Sequence, residues 1–279
     1  MQGNRSGFLT TCLLIGFAFL YLPIILMAIY SFNHSRLLPV WGGWSTRWYK
    51  ELFNSPEVWQ ATLLSLKIAC LTATIAMILG TMAGIAIVRF RKFRGRTLFT
   101  GMISAPLVMP EVITGLSLLL LFITLQQTIG WPQQRGMTTI TIAHITFSMA
   151  FVAIIIQSRL TSSDLSLEEA ASDLGAKPFR VLFDITLPML APGMIAGWLL
   201  AFTLSLDDLI IASFVTGPGS TTLPMLIYSR IRLGLKPDIN ALATVMIGVV
   251  AVIVLIAGLM MYLQVRRSRA SAKAAAMDS

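Results

Sequence analysis

Charged side chains are scarce in this sequence, and their scarcity excludes most soluble proteins. Only 12% of the 279 residues are Asp, Glu, Lys or Arg, whereas soluble globular domains carry about 25%. Cysteine is also rare, and Cys12 and Cys70 both lie within apolar runs, which is typical of small buried residues rather than of a disulfide or a metal site. The chain contains no phosphate-binding loop, His-Glu pair or Gly-x-Ser-x-Gly sequence. We therefore expect no catalysis, no metal and no cofactor of its own.

Apolar residues make up 56% of the chain and are concentrated in six long runs. Each run exceeds the ~20 residues that a helix needs to cross ~30 Å of hydrocarbon. The first run is too long for a signal peptide and has no cleavage site at its end, so we interpret it as a retained helix. We predict an all-α membrane protein with one transmembrane domain over residues 1–267 and a polar tail over residues 268–279. The predicted spans are 8–30, 62–88, 98–125, 138–158, 189–214 and 242–264.

Basic residues predict the orientation of these spans. Six spans place both termini on the same side, and that side carries thirteen basic residues against seven on the other. The excess predicts cytoplasmic termini, and the net charge of +9 is explained by orientation rather than by nucleic-acid binding. The thirteen are Arg5, Arg89, Arg91, Lys92, Arg94, Arg96, Arg159, Lys177, Arg180, Arg266, Arg267, Arg269 and Lys273, and the seven are Arg36, Arg47, Lys50, Arg135, Arg230, Arg232 and Lys236.

The longest charged stretch between predicted spans is residues 166–188, on the predicted cytoplasmic side. Ser166 is a favourable N-cap, and Glu169 three residues later completes a capping box. Gly175 stands where a helix end favours the left-handed conformation, and Pro178 is suited to open a second helix. The stretch therefore predicts two short amphipathic helices hinged at Gly175.

The first of these helices has a single apolar face. Its small residues allow another backbone to come close, which suits docking into a groove on a partner protein. The alternative is an ordinary pair of surface helices packed on their own chain. The face consists of Leu167, Ala170, Ala171 and Leu174, and the second helix is expected to end at Pro188.

Three acidic residues lie within predicted spans, where each costs ~2.5–3.5 kcal/mol at a helix centre without a partner or a water-filled cavity. The helical rise places Glu111 ~20 Å from the cytoplasmic end of its span and the two aspartates ~28 Å from theirs. Ser205 shares a helical face with Asp208, and Trp198 flanks that face. Because an indole beside a carboxylate suits an alkylammonium group, we predict a cation path. Its candidate residues are Glu111, Asp207, Asp208, Ser205 and Trp198.

A structural explanation of the same residues stays open. Asp207 could cap a broken helix or face water, and Glu111 could be protonated or bonded to another helix. Pro106 and Pro110 are expected to kink the third span. His144 in the fourth span is expected to be a packed, hydrogen-bonded residue.

The charged stretch resembles the EAA loop of the membrane permeases of ABC importers. That loop reads Glu-Ala-Ala, three residues, Gly, nine residues, Ile, any residue and Leu-Pro. Two further segments, 105–115 and 205–224, are similar to the third and fifth spans of polyamine-importer permeases of the putrescine type. The matching positions of the loop are Glu169, Ala170, Ala171, Gly175, Ile185, Leu187 and Pro188.

The resemblance implies the type I ABC importer permease architecture in a bacterial inner membrane. The loop, with Leu174, would be the coupling helix that seats in a cleft of the ATPase subunit. The implied partners are a second, related permease subunit, two ATPase subunits that bind ATP and Mg²⁺, a periplasmic binding protein and a polyamine. The alternatives are a permease of this architecture for another solute, and a proton-coupled secondary carrier, because buried acids can also relay protons.

Overall fold

Helices account for nearly all of the structure. The computed structural model describes residues 7–36, 40–90, 92–164, 166–233, 237–252 and 255. Apart from an isolated bridge between Asn33 and Trp44, these residues contain no β-structure, which confirms the all-α class. The helices are α1 (Gly7–Tyr30), α2 (Arg47–Phe53), α3 (Pro56–Arg89), α4 (Arg96–Val108), α5 (Glu111–Ile129), α6 (Met137–Ser162), α7 (Ser166–Asp173), α8 (Pro178–Val181), α9 (Leu187–Asp207), α10 (Ile210–Val215), α11 (Leu223–Leu233) and α12 (Pro237–Val252).

Five helical segments are long and apolar enough to cross a membrane, and each overlaps one predicted span. Helix α12 coincides with the start of the sixth predicted span, whose residues 253–254 and 256–264 lie outside the described residues. The predicted tail, residues 268–279, also lies outside them. The five segments are Gly7–Tyr30, Pro56–Arg89, Glu111–Ile129, Met137–Ser162 and Pro178–Asp207.

The third predicted span, residues 98–125, consists of two helices. Helix α4 ends at Val108, and Met109 is extended with φ −78° and ψ 135°. The next residue, Pro110, has no N–H to donate and disfavours a helical conformation in the residue before it. The expected kink is therefore present at Pro110, whereas Pro106 lies inside α4 without ending it.

The prediction that Pro188 ends a helix is wrong, because one helical segment runs from Pro178 to Asp207. A π-helical turn, Leu182–Thr186, joins α8 to α9. In it the Leu187 N–H donates to the carbonyl of Leu182, five residues back. This wider turn makes room for Pro188, which lacks an N–H and would crowd the carbonyl four residues earlier in a regular α-helix.

The described residues divide into two compact units. One comprises the described residues of 1–55 and 229–279 and includes α1, none of whose residues is buried. The other, Pro56–Tyr228, contains both candidate sites and is built around α6. Helices α3 and α9 both approach Val152 of α6 closely at a glycine. A Cβ added to Gly80 of α3 would lie only 2.7 Å from Val152 Cβ, and one added to Gly197 of α9 would lie 3.1 Å from Val152 Cγ1, so the small residues allow the helices to pack this closely. The assignment of residues 1–267 to a single domain stays a prediction.

Candidate functional site

The charged stretch begins with α7, and its start differs from the predicted capping box. Ser166 is the first helical residue rather than the N-cap. Its backbone N–H donates to Asp164 Oδ1 at 3.0 Å. This bond, together with one from the Ser166 side chain, holds the pKa of Asp164 below its ordinary value. The acceptor at this helix start is therefore Asp164, two residues earlier than expected.

Gly175 forms the predicted hinge. Its φ is +87°, which confirms the left-handed conformation. The Gly175 N–H donates to the Ser172 carbonyl at 2.9 Å and the Ala176 N–H donates to the Ala171 carbonyl at 3.0 Å. These two bonds satisfy carbonyls at the end of α7 in the Schellman arrangement. Nothing lies within 4 Å of a Cβ added to Gly175, so the backbone conformation alone favours glycine there.

Large apolar side chains around the hinge are exposed. Leu174 is 90% exposed and Phe179 is 78% exposed, and α7 contains no buried residue. These apolar side chains are therefore not buried against their own chain, and they leave an apolar surface that a partner can cover. Among the other positions predicted for docking, Glu169, Ala170 and Pro188 are exposed, and Ala171, Ile185 and Leu187 are partly buried.

Asp208 and Ser205 meet at His144 of α6. His144 Nδ1 lies 2.7 Å from Ser205 Oγ, and His144 Nε2 lies 3.0 Å from Asp208 Oδ2. The side chains of His144 and Asp208 are 2% and 9% exposed. An ionised Asp208 can only accept, so Nε2–H is the donor to it. His144 is thus packed and hydrogen-bonded, as expected, and it is the partner for Asp208 that the sequence did not reveal.

Asp208 also explains why the predicted fifth span, residues 189–214, is broken. Helix α9 ends at Asp207, and Asp208 is extended with φ −65° and ψ 126°. Its carboxylate accepts the backbone N–H of Ile211 at 3.3 Å and that of Ala212 at 2.7 Å. A carboxylate that accepts N–H groups of a first helical turn caps that helix, so Asp208 starts α10. A capping role was one alternative for Asp207, but the capping acid is Asp208.

Asp207 and Glu111 have different surroundings from Asp208. Both are exposed, and Glu111 is the first residue of α5, directly after the break at Pro110. Asp208, by contrast, is engaged by three donors. The described residues contain no group of three or more His, Cys, Asp or Glu that could hold a metal ion.

Trp198 lies apart from the aspartates. Its Nε1–H donates to Thr74 Oγ1 of α3 at 3.1 Å, and its ring stacks on Phe202 with the centroids 5.3 Å apart. Ten residues of helix separate it from Asp208, which corresponds to about 15 Å of rise. The prediction that this indole lies beside the carboxylate of Asp208 is therefore wrong.

Comparisons with known proteins agree on one family. Residues 76–270 match the family described as binding-protein-dependent transport system inner membrane component. The chain is 59% identical over 257 residues to the putrescine transport system permease protein PotI of Escherichia coli strain K12, covering 92% of each chain. It is 40% identical over 251 residues to the spermidine/putrescine transport system permease protein PotC of the same strain, covering 90% of this chain and 91% of that one.

Solved structures show the same fold at low sequence identity. A bacterial ABC transporter involved in the import of the acidic polysaccharide alginate matches with a TM-score of 0.68 and 16% identity, over 94% of this chain and 98% of that one. A bacterial alginate ABC transporter in complex with an alginate pentasaccharide-bound periplasmic protein matches with a TM-score of 0.65 and 15% identity, over 90% and 93% of the two chains.

Proposed function

This chain belongs to the family of inner membrane components of binding-protein-dependent transport systems, and we propose that it is a permease subunit of an ATP-driven importer of polyamines, foremost putrescine. The observation that carries the proposal is the 59% identity to PotI over 92% of both chains. The chain would supply a membrane path and a docking element and would perform no catalysis.

The proposed path attracts ammonium groups with carboxylates. Putrescine carries two such groups, and each must replace part of its hydration on entering the membrane. Carboxylates at Glu111 and Asp207 can do so because both side chains are exposed. Asp208 is assigned a structural role instead, since its carboxylate accepts from His144 and from two backbone N–H groups.

Glu111 and Asp207 are proposed to lie at similar depth in the membrane. Counting residues from the cytoplasmic end of each predicted span had suggested successive depths instead. A Cβ added to Gly115 of α5 would lie 2.8 Å from the ring of Phe214 and 3.3 Å from Ile211 Cα, so these positions of α5 and α10 are level. Glu111 precedes Gly115 by four residues, and Asp207 precedes Ile211 by four. Glu111 lies four helical residues, about 6 Å, before Gly115. The step from Ile211 back to Asp207 is not helical throughout, because Asp208 is extended, so the two acids are proposed to lie at neighbouring depths rather than in one plane.

This register requires α5 and α10 to run in the same direction. The carbonyl of Val215, the last residue of α10, accepts from Thr139 Oγ1 near the start of α6 at 2.7 Å. Helix α5 leads into the start of α6 through the short connection 130–136, and Phe122 of α5 contacts Trp131 of that connection. Both segments therefore approach the start of α6 with their C-terminal ends.

The proposed partners account for ATP use and solute delivery. Two ATPase subunits would bind ATP and Mg²⁺, and the exposed apolar surface around Leu174 and Phe179 would seat on one of them. A second, related permease subunit would complete the path. A periplasmic binding protein would deliver the polyamine to the outer mouth.

The proposed orientation places both termini and the docking element in the cytoplasm, where an ATPase can reach it. A membrane-impermeant thiol reagent tests it on a chain whose own Cys12 and Cys70 are replaced by serine. A cysteine at Ser45 should react in intact cells, whereas one at Ser172 should react only after lysis. The reverse accessibility would exclude this orientation.

Uptake of labelled putrescine tests the transport proposal. The host should lack its other polyamine importers and carry the whole transport system, with or without this chain. Uptake should require this chain and an ATPase able to hydrolyse ATP. Uptake that persists with an inactive ATPase but follows a proton gradient would favour a secondary carrier. A system that imports another solute and no polyamine would refute the substrate.

A further inference from the structure

One carboxylate oxygen connects the docking element to two membrane-spanning helices. Glu168 lies in the first turn of α7, and its Oε1 accepts from Arg89 Nη2 at 2.6 Å and from Thr186 Oγ1 at 3.0 Å. Arg89 is the last residue of α3, and Thr186 ends the π-helical turn that enters α9. We call these three residues the Glu168 joint.

The Glu168 joint is more buried than an ordinary surface ion pair. The side chains of Arg89 and Glu168 are 18% and 15% exposed, and Thr186 is 4% exposed. By comparison, the Arg47–Glu51 pair has side chains that are 38% and 47% exposed. Water screens an exposed pair strongly, whereas a partly buried pair holds its geometry more tightly and leaves an uncompensated charge when one partner is removed.

Apart from the backbone on either side of it, helix α7 has few means of attachment. None of its residues is buried, and the Arg89–Glu168 bridge is the one ion pair in the described part of the chain that links α7 to a membrane-spanning helix. Glu168 is therefore the ion-pair route from α7 to α3, whereas α7 also reaches α9 along the backbone through Gly175 and the continuous helix that starts at Pro178. A charge-assisted hydrogen bond resists separation of its partners, and the second bond from Thr186 to the same oxygen ties α7 to the start of α9 as well, so the three elements should move together.

We propose that Glu168 is a positioning residue that transmits movement of the docking element to α3 and α9. The inference rests on the proposed docking of an ATPase at this element. Glu168 is not among the positions of the EAA pattern, which begins at Glu169, so its role would be distinct from docking itself. Without the joint, the ATPase would still bind and hydrolyse ATP, but the spans would follow its movement poorly.

The test measures coupling in the complete transport complex reconstituted in liposomes. Glu168→Gln keeps the size of the side chain and removes its charge. The number of putrescine molecules imported per ATP hydrolysed should fall about tenfold, within the usual range of coupling between sites, while the ATPase still co-purifies. The double variant Arg89→Glu with Glu168→Arg restores opposite charges and should recover most of the ratio. Glu51→Gln makes the same change in the exposed pair and should leave the ratio unchanged.

A second readout does not depend on polyamine transport. Spin labels at Ser172 of α7 and at Phe90, next to the end of α3, report whether the two elements move together when ATP binds. The wild-type complex should keep one narrow distance with and without ATP, and Glu168→Gln should broaden it. The distance measurement still tests the Glu168 joint if wild-type complexes import no putrescine. That absence of import would refute the proposed substrate and leave the joint untouched.

Two results would overturn the proposal. A wild-type transport ratio together with an unchanged label distance in Glu168→Gln would exclude transmission through this residue. Loss of ATPase co-purification in the same variant would assign Glu168 to docking instead of transmission.

Discussion

Replacing each of two adjacent aspartates by asparagine separates the roles of charge and structure at the end of α9. Asp207 is exposed, whereas Asp208 is 9% exposed and bonded to His144. Asparagine keeps nearly the shape of aspartate and removes the negative charge. We expect Asp207→Asn to impair transport with normal folding and Asp208→Asn to impair folding.

The expected magnitudes follow from these surroundings. An asparagine at 208 would set its amide N–H groups against the donors that now bond the carboxylate, and leaving a buried polar group without a partner costs about 1–3 kcal/mol, a sizeable part of the about 5–15 kcal/mol that stabilises a typical domain. A change at the exposed Asp207 should stay within about 0.5 kcal/mol. A carboxylate about 4 Å from an ammonium group contributes about 1 kcal/mol in water and about 4 kcal/mol near a protein surface. An increase of about 1.4 kcal/mol in the barrier lowers the transport rate about tenfold.

The assay combines thermal unfolding in detergent with putrescine uptake into liposomes at saturating binding protein. Asp208→Asn should unfold at a lower temperature than wild type. Asp207→Asn should unfold at the wild-type temperature and show a lower maximal rate, and Asp207→Glu should keep most of that rate because it keeps the charge. Wild-type transport by Asp207→Asn, combined with wild-type stability of Asp208→Asn, would refute the division of roles.

Three further predictions concern single residues. Glu111→Gln should lower the maximal rate about as much as Asp207→Asn, since both acids are proposed to lie at similar depth, and wild-type uptake would remove Glu111 from the path. Gly175→Val should abolish uptake and weaken ATPase co-purification, because left-handed backbone costs a residue with a Cβ about 1–2 kcal/mol. The control Gly95→Val has the same strain, at φ +88° with open space around it, and should spare co-purification. Equal loss of co-purification in both variants would contradict a specific role for the hinge. Gly80→Ala should destabilise the folded protein by about 1–3 kcal/mol, because the added Cβ would lie 2.8 Å from the Met149 carbonyl oxygen. The control is Gly101→Ala, whose Cβ would have nothing within 4 Å. Equal unfolding temperatures of the two variants would show that α3 and α6 can separate freely.

Features that depend on neighbouring residues could be predicted from the sequence. Runs of apolar residues long enough to cross a bilayer marked five of the helical segments. The missing N–H of Pro110 marked the break before α5, and the position of Gly175 after an amphipathic turn marked its positive φ. Each follows from backbone chemistry within a few residues, and the EAA resemblance is likewise a pattern within one short stretch.

Local chemistry was insufficient where a neighbouring turn could compensate or where the partner lies far along the chain. Pro188 was expected to end a helix, but the π-helical turn before it absorbs the missing hydrogen bond.

The sequence by itself determined that three acidic residues lie within predicted membrane spans, because the order of residues along the chain is enough to place them in apolar runs. Only the tertiary structure decided which aspartate is free, because His144 binds Asp208 across 64 residues of sequence. In the same way, Arg89 meets Glu168 across 79 residues. Such pairs form because helix packing brings distant positions together where an unpaired buried charge is costly, and no spacing within a single run encodes that meeting.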